Sequence, residues 1–180
     1  MTVMDMLIQI PEDASDGVFT VQDLLQLPET DRYQLELHEG VIRVVPPPKP
    51  EANDVQLDLA FYFRARGRKV YTEMGVKFND HSYRIPDVTV LRPGCTATTE
   101  AVQSPDIVDL LVEVVSPTSV DEDRLVKAKV YASAGIPQYW RVEPTVTGYV
   151  VVQGLLQDGR YVPVGEVALV ELLAGGGGLG

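Results

Sequence analysis

Cysteine is almost absent from this chain: Cys95 is the only one in 180 residues, which excludes an internal disulfide framework and any cysteine-rich zinc cage. Histidine is nearly as scarce. His38 and His81 are the only two, so a Ser-His-Asp triad or a histidine-rich metal site would depend on one of them. Basic charge is in deficit: 15 Lys and Arg against 26 Asp and Glu give a net charge of −11. That excludes broad attraction to phosphate backbones and leaves room only for a local basic groove. No stretch approaches the ~18 uninterrupted apolar residues of a membrane span. The first ten residues carry Asp5 and no Lys or Arg, unlike a secretory leader, so a cytoplasmic location without membrane contact is expected. Aromatic residues, at 7%, do not flank the acids discussed below in the way a sugar platform requires, which sets aside a glycoside hydrolase with paired carboxylates.

The length suits one core, at roughly 150 residues per domain. The expected organisation is a turn-rich arm (1–19), one domain (20–172) and a Gly-rich tail (173–180) that lacks the lysine and hydroxyl of a phosphate loop. Thr20 can cap a short helix to Leu27, with Asp23 completing a capping box. Glu39-Gly40 turns a hairpin between Leu35 and Val45, and Pro50 opens a helix that runs to Arg66. Val70–Phe78 and Tyr83–Leu91 read as strands, and Ile107–Val115 is apolar enough for a central strand buried on both faces. A helix over Asp121–Ala134, a strand over Gln138–Val142 and a hairpin turned at Gln157-Asp158-Gly159 follow. Val150-Val151-Val152 is expected to be an exposed apolar strand able to support a homodimer.

What stands out in this pattern is Glu113, alone among Leu110-Leu111-Val112 and Val114-Val115. An uncompensated polar group there costs ~2–7 kcal/mol or more. Two compensations are open: a structural ion pair with Lys or Arg, or a hard cation shared with a second acid. Asp87, directly after Pro86 at the head of another apolar strand, is that second acid, since Mg²⁺ needs only one or two carboxylates with waters and phosphate oxygens. Asp123, Lys127 and Tyr131 follow at intervals of four, on one helical face. Lys127 there either orients a water and offsets acidic charge, or makes an ordinary surface pair with Asp123. Arg64, Arg66, Arg68 and Lys69 are the densest basic cluster, suited either to contact a phosphate backbone or to complement a helix end.

Pro86-Asp87, Val112-Glu113-Val114-Val115-Ser116-Pro117, then Asp123, Lys127, Tyr131 and Gly135-Ile136-Pro137-Gln138-Tyr139-Trp140-Arg141-Val142 resemble the Uma-two family of restriction-endonuclease-like proteins, in the PD-(D/E)XK nuclease superfamily. The resemblance spans roughly 19–170. It implies an α/β fold of α+β type: a restriction-endonuclease-like mixed central sheet flanked by helices, with additional hairpins. It also implies Mg²⁺-dependent, or Mn²⁺-dependent, hydrolysis of nucleic acid, DNA in the first instance. Asp87 and Glu113 match the metal-binding acids, and Glu36 matches an early glutamate that joins the acidic cluster. Val115 stands where the superfamily carries lysine, and Lys127 matches the helix lysine of this family. Asn53 and Gln138 depart from a frequent histidine and glutamate. The alternative implied by the charge and the missing strand lysine is a homodimeric binding or assembly module that keeps the fold without cutting.

Overall fold

Each element follows from local chemistry that the structure, a computed structural model describing residues 17–28, 32–117 and 119–175, makes explicit. In chain order the elements are α1 (Val21–Leu25), β1 (Gln34–His38), β2 (Val41–Val45), α2 (Pro50–Ala65), β3 (Val70–Thr72), β4 (Val76–Asn79), β5 (Ser82–Arg84), β6 (Val88–Leu91), β7 (Val108–Val114), α3 (Lys127–Ser133), β8 (Gln138–Thr145), β9 (Gly148–Gln157), β10 (Arg160–Ala168) and α4 (Leu169–Leu173). The fold is mixed α+β, with two sheets flanked by helices. Where one domain over 20–172 is expected, the described residues group into two compact units: those up to Pro47 together with Asn79–Arg84, and Pro48–Phe78 together with those from Ile85 on. Most of the expected arm, 1–16, and of the expected tail, 176–180, lies outside the described residues.

In the first unit Thr20 caps α1 through the reciprocal pair of a capping box: its hydroxyl accepts from the Asp23 N–H at 3.2 Å and its own N–H donates to Asp23 Oδ2 at 2.7 Å. β1 and β2 form an antiparallel hairpin around Glu39-Gly40, both at positive φ, the conformation a two-residue type I′ turn needs. β5 joins β1 where Leu37 faces Tyr83. Val21, Leu24 and Leu37 are buried here, and the buried Arg84 guanidinium donates to the Leu37 carbonyl.

The second unit is built on a six-stranded sheet in the order β10-β9-β8-β7-β6-β3. Every neighbouring pair is antiparallel except β7 and β8, and α3 lies in the crossover that a parallel pair requires. β7 is therefore interior, and its alternation feeds two cores. Leu110 and Val112 pack with Val88, Val90, Trp140 and Val142 against Val55, Leu59 and Phe63 of α2 and Leu169 and Leu172 of α4. Leu111 belongs to the other core, with Tyr131 and Ile136 from α3 and its end and Tyr139 from β8.

The two long strands expected over 70–78 and 83–91 arrive as four short ones. Glu73 takes a left-handed φ of +52° straight after β3, and Pro86 has no N–H to give a ladder between β5 and β6. The helix expected over 121–134 begins as a π-helical turn, Glu122–Val126, before α3. Val150-Val151-Val152 is not an exposed strand: it lies in β9, paired with β8 on one side and β10 on the other, and Val151 is fully buried. α4 closes the described part of the chain and buries Leu169 and Leu172. No helix among the described residues is long and apolar enough to cross a membrane.

The β8–β9 packing makes a specific demand at Gly154, where an added Cβ would stand 2.9 Å from the Tyr139 carbonyl oxygen and 3.3 Å from Tyr161 Cβ. Both obstacles are held in the sheet. Gly154→Ala is expected to cost about 1–3 kcal/mol by overpacking, read as a lower urea midpoint with an unchanged slope; parental stability would disprove the close approach.

Candidate active site

Strand register sets the site. β6 pairs with β7 so that Val88 stands opposite Val112; Asp87 directly precedes the one and Glu113 directly follows the other, and the two carboxylates feel each other's charge. The Glu73 N–H donates to the Asp87 carbonyl at 3.3 Å. Asp87 accepts two hydrogen bonds: Oδ2 from the Val114 backbone N–H at 2.6 Å, and Oδ1 from Gln56 Nε2 on α2 at 2.7 Å. Glu113, only 2% exposed, is gripped from α3: Lys127 Nζ lies 2.6 Å from Oε2 and the Tyr131 hydroxyl donates to Oε1 at 2.6 Å.

Lys127 reaches this position because of the π-helical turn before it. The Lys127 N–H donates to the Glu122 carbonyl, five residues back, and the lysine becomes the first residue of α3. Its Nζ also lies 3.1 Å from Oδ1 of the buried Asp123, one turn earlier. Asp123 is held in turn by the Ser119 hydroxyl on Oδ2, and its carbonyl accepts from the Tyr139 hydroxyl at 2.7 Å. Tyr131 stands in an aromatic row between Phe78 and Tyr139, with centroids 5.0 and 5.3 Å away, which fixes where its hydroxyl points.

One lysine thus serves three carboxylates. Burial pushes the Glu113 carboxyl well above the usual range; Lys127 opposes that shift, and the neighbouring Asp87 and Asp123 add to it. Burial likewise raises Asp87 to about 6, against Lys127 and the Val114 N–H, with Asp123 and Glu73 pushing it further. Among the described residues no three His, Cys, Asp or Glu side chains form a ready cage for a metal. The donor chemistry still fits a hard cation: one or two carboxylates suffice for Mg²⁺, each carboxylate oxygen has lone-pair capacity beyond the bond it makes, and excess acidic charge is what a cation relieves.

Glu36 belongs to the first unit, buried on β1 with its Oε2 2.7 Å from His38 Nε2. The basic cluster sits at the other end of the strands, where Arg68 pairs with Asp109 and Lys69 accepts the Leu91 N–H on its carbonyl. That is four residues along β6 from Asp87, roughly 13 Å at ~3.3 Å per residue. Each cation there has a local partner: Arg64 donates to the Val70 carbonyl, Arg66 stacks 3.5 Å over the Tyr62 ring and Lys69 donates to Thr96. Val115 is buried with its N–H on the Val142 carbonyl, so the strand leaves the amine to Lys127. Sequence reasoning passed over Gln56 and Glu73. The signal for Gln56 was there: a polar residue between Val55 and Leu59 on the buried face of α2.

A family model described as "Putative restriction endonuclease" matches residues 21–177. No curated protein matches the chain. Among solved structures, the chain is similar to the crystal structure of a protein described as a putative nuclease, from Anabaena variabilis ATCC 29413. The TM-score is 0.65 at 19% identity, over 87% of this chain and 98% of that one. At that identity the likeness establishes a shared fold.

The raised Asp87 pKa has a thermodynamic consequence. Between the ordinary aspartate range and about 6 the folded chain holds a proton that the unfolded chain has lost, so this site's stabilisation is complete below pH ~4 and disappears as pH rises through 6. Asp87→Asn removes that titration. In denaturation of the metal-free protein, the stability of the parent relative to Asp87→Asn is expected to fall from pH 4 to pH 7; a flat difference would refute the shift.

Proposed function

The chain belongs to the Uma2 family, and on that premise we propose that it is a metal-dependent nuclease hydrolysing phosphodiester bonds, DNA in the first instance, with Asp87 and Glu113 holding Mg²⁺ or Mn²⁺. The observation that carries this reading is the buried Glu113 carboxylate paired with Lys127, which also pairs with Asp123, with the Asp87 carboxylate close enough to be coupled electrostatically to both Glu113 and Lys127. A bound cation supplies polarisation of the scissile phosphoryl group and a lowered pKa for a coordinated water. The protein's own groups do the rest. The Val114 N–H and Gln56 fix the Asp87 carboxylate, and Tyr131 fixes that of Glu113. Lys127, drawn toward Glu113 and Asp123, offsets their charge and is placed to donate to the attacking water or to a phosphoryl oxygen as negative charge develops.

A second reading has one specific observation in its favour. Lys127 and Tyr131 already engage both oxygens of Glu113, as in a structural ion pair, which suits a homodimeric binding module that keeps the fold without turnover.

Plasmid, single-stranded DNA and RNA substrates with Mg²⁺, Mn²⁺ or chelator separate the two. The nuclease reading expects cation-dependent cleavage, abolished in Asp87→Ala and reduced about 10²–10³-fold in Lys127→Ala. Persistent inactivity on all substrates, with no cation uptake by calorimetry and a stable dimer by light scattering, would leave the module.

A further inference from the structure

Gln56 is 1% exposed, on a helix face that otherwise packs Val55, Leu59 and Phe63 into the core. Its Nε2 donates to Asp87 Oδ1 at 2.7 Å, while its Oε1 is buried without a hydrogen-bond partner. A buried amide half satisfied in this way is costly to keep, because the orphaned acceptor bears its full desolvation penalty. A hydrophobic residue would pack there at no such cost. The orphan is also the carbonyl of the same amide whose nitrogen is pinned to Asp87, so it lies within a few ångströms of that carboxylate.

Resting on the cation site proposed above, we infer that Gln56 is its positioning residue: the amide nitrogen aims the Asp87 carboxylate, and Oε1 supplies the acceptor required by a water that the cation retains. Mg²⁺ and Mn²⁺ keep several waters when held by one or two carboxylates, and a retained water in a closed site needs acceptors from the protein. Gln56 meets both needs with one side chain. Partners that orient ligand carboxylates change metal affinity by about 10–100-fold when removed.

The test is calorimetric titration of Mn²⁺, then Mg²⁺, into the full chain and its variants, with thermal melting of each metal-free protein beside it. Gln56→Leu, which fills the space without polar atoms, is expected to weaken Mn²⁺ binding about 10–100-fold while the metal-free melt changes little. Gln56→Asn keeps the amide but withdraws it by one methylene, and should show the same loss if the leucine variant does not fold. Gln56→Glu keeps an oxygen acceptor but loses the Nε2 donor to Asp87, so it should bind Mn²⁺ more tightly than Gln56→Leu yet less tightly than the parent. Parental Mn²⁺ affinity in the leucine and asparagine variants would reduce Gln56 to a packing residue, and an affinity in Gln56→Glu no better than in Gln56→Leu would overturn the acceptor role. If the parent protein takes up no Mn²⁺, the cation site itself falls, an outcome distinct from either of these.

Discussion

A carboxylate in the interior of a sheet covered on both faces has to be held by other charges, and the second unit is arranged around that requirement at Glu113. Stripping such an ion of water costs several kcal/mol even after relaxation, and removing one partner of a buried pair typically costs 3–5 kcal/mol. Hence the crossover after β7 delivers a lysine and a tyrosine hydroxyl to the two oxygens. The tyrosine is fixed by rings on either side, and the lysine is fixed by a second buried acid that Ser119 holds. Asp87 adds another carboxylate nearby, and burial raises its proton affinity while Lys127 and the Val114 N–H oppose the shift.

Moving the amine from the strand to a helix changes what holds the site together. With Val115 packed as core, the acid and the lysine no longer share one rigid strand; they are joined through the turn at Ser116–Ser119 and the π-helical stretch. The additional residue in that turn sets the phase of α3, so that Lys127 and Tyr131 arrive on Glu113 together. The contact of Lys127 and Tyr131 with Glu113 therefore depends on helix packing against Leu111 and Tyr139 as much as on strand pairing.

Much of this was legible because it is local. The Thr20-Asp23 capping box, the Glu39-Gly40 and Asp158-Gly159 turns, the apolar face of α2 and the two-sided burial of β7 each follow from spacing within a few residues. The same holds for Glu113 with Lys127 and Tyr131, where one strand and the helix after it bring the partners together. What depended on distant partners was not legible. Whether Val151 lies at an edge or inside the sheet is decided by β8 and β10, and the break at Glu73 is a backbone choice that its side chain does not announce. Gln56 was hidden for the same reason, since its role is visible only once α2 is laid beside Asp87, thirty-one residues later.

The first unit is stitched from two separate stretches, one early in the chain and one a six-residue excursion, Asn79–Arg84, between β4 and β6. Within it β5 pairs with β1, and Gly40 donates its N–H to the His81 carbonyl across the two stretches. No single cut of the polypeptide can therefore separate the units intact. Trimming away the early stretch would strip β5 of its pairing with β1 while leaving it covalently embedded beside the residues that lead into Asp87.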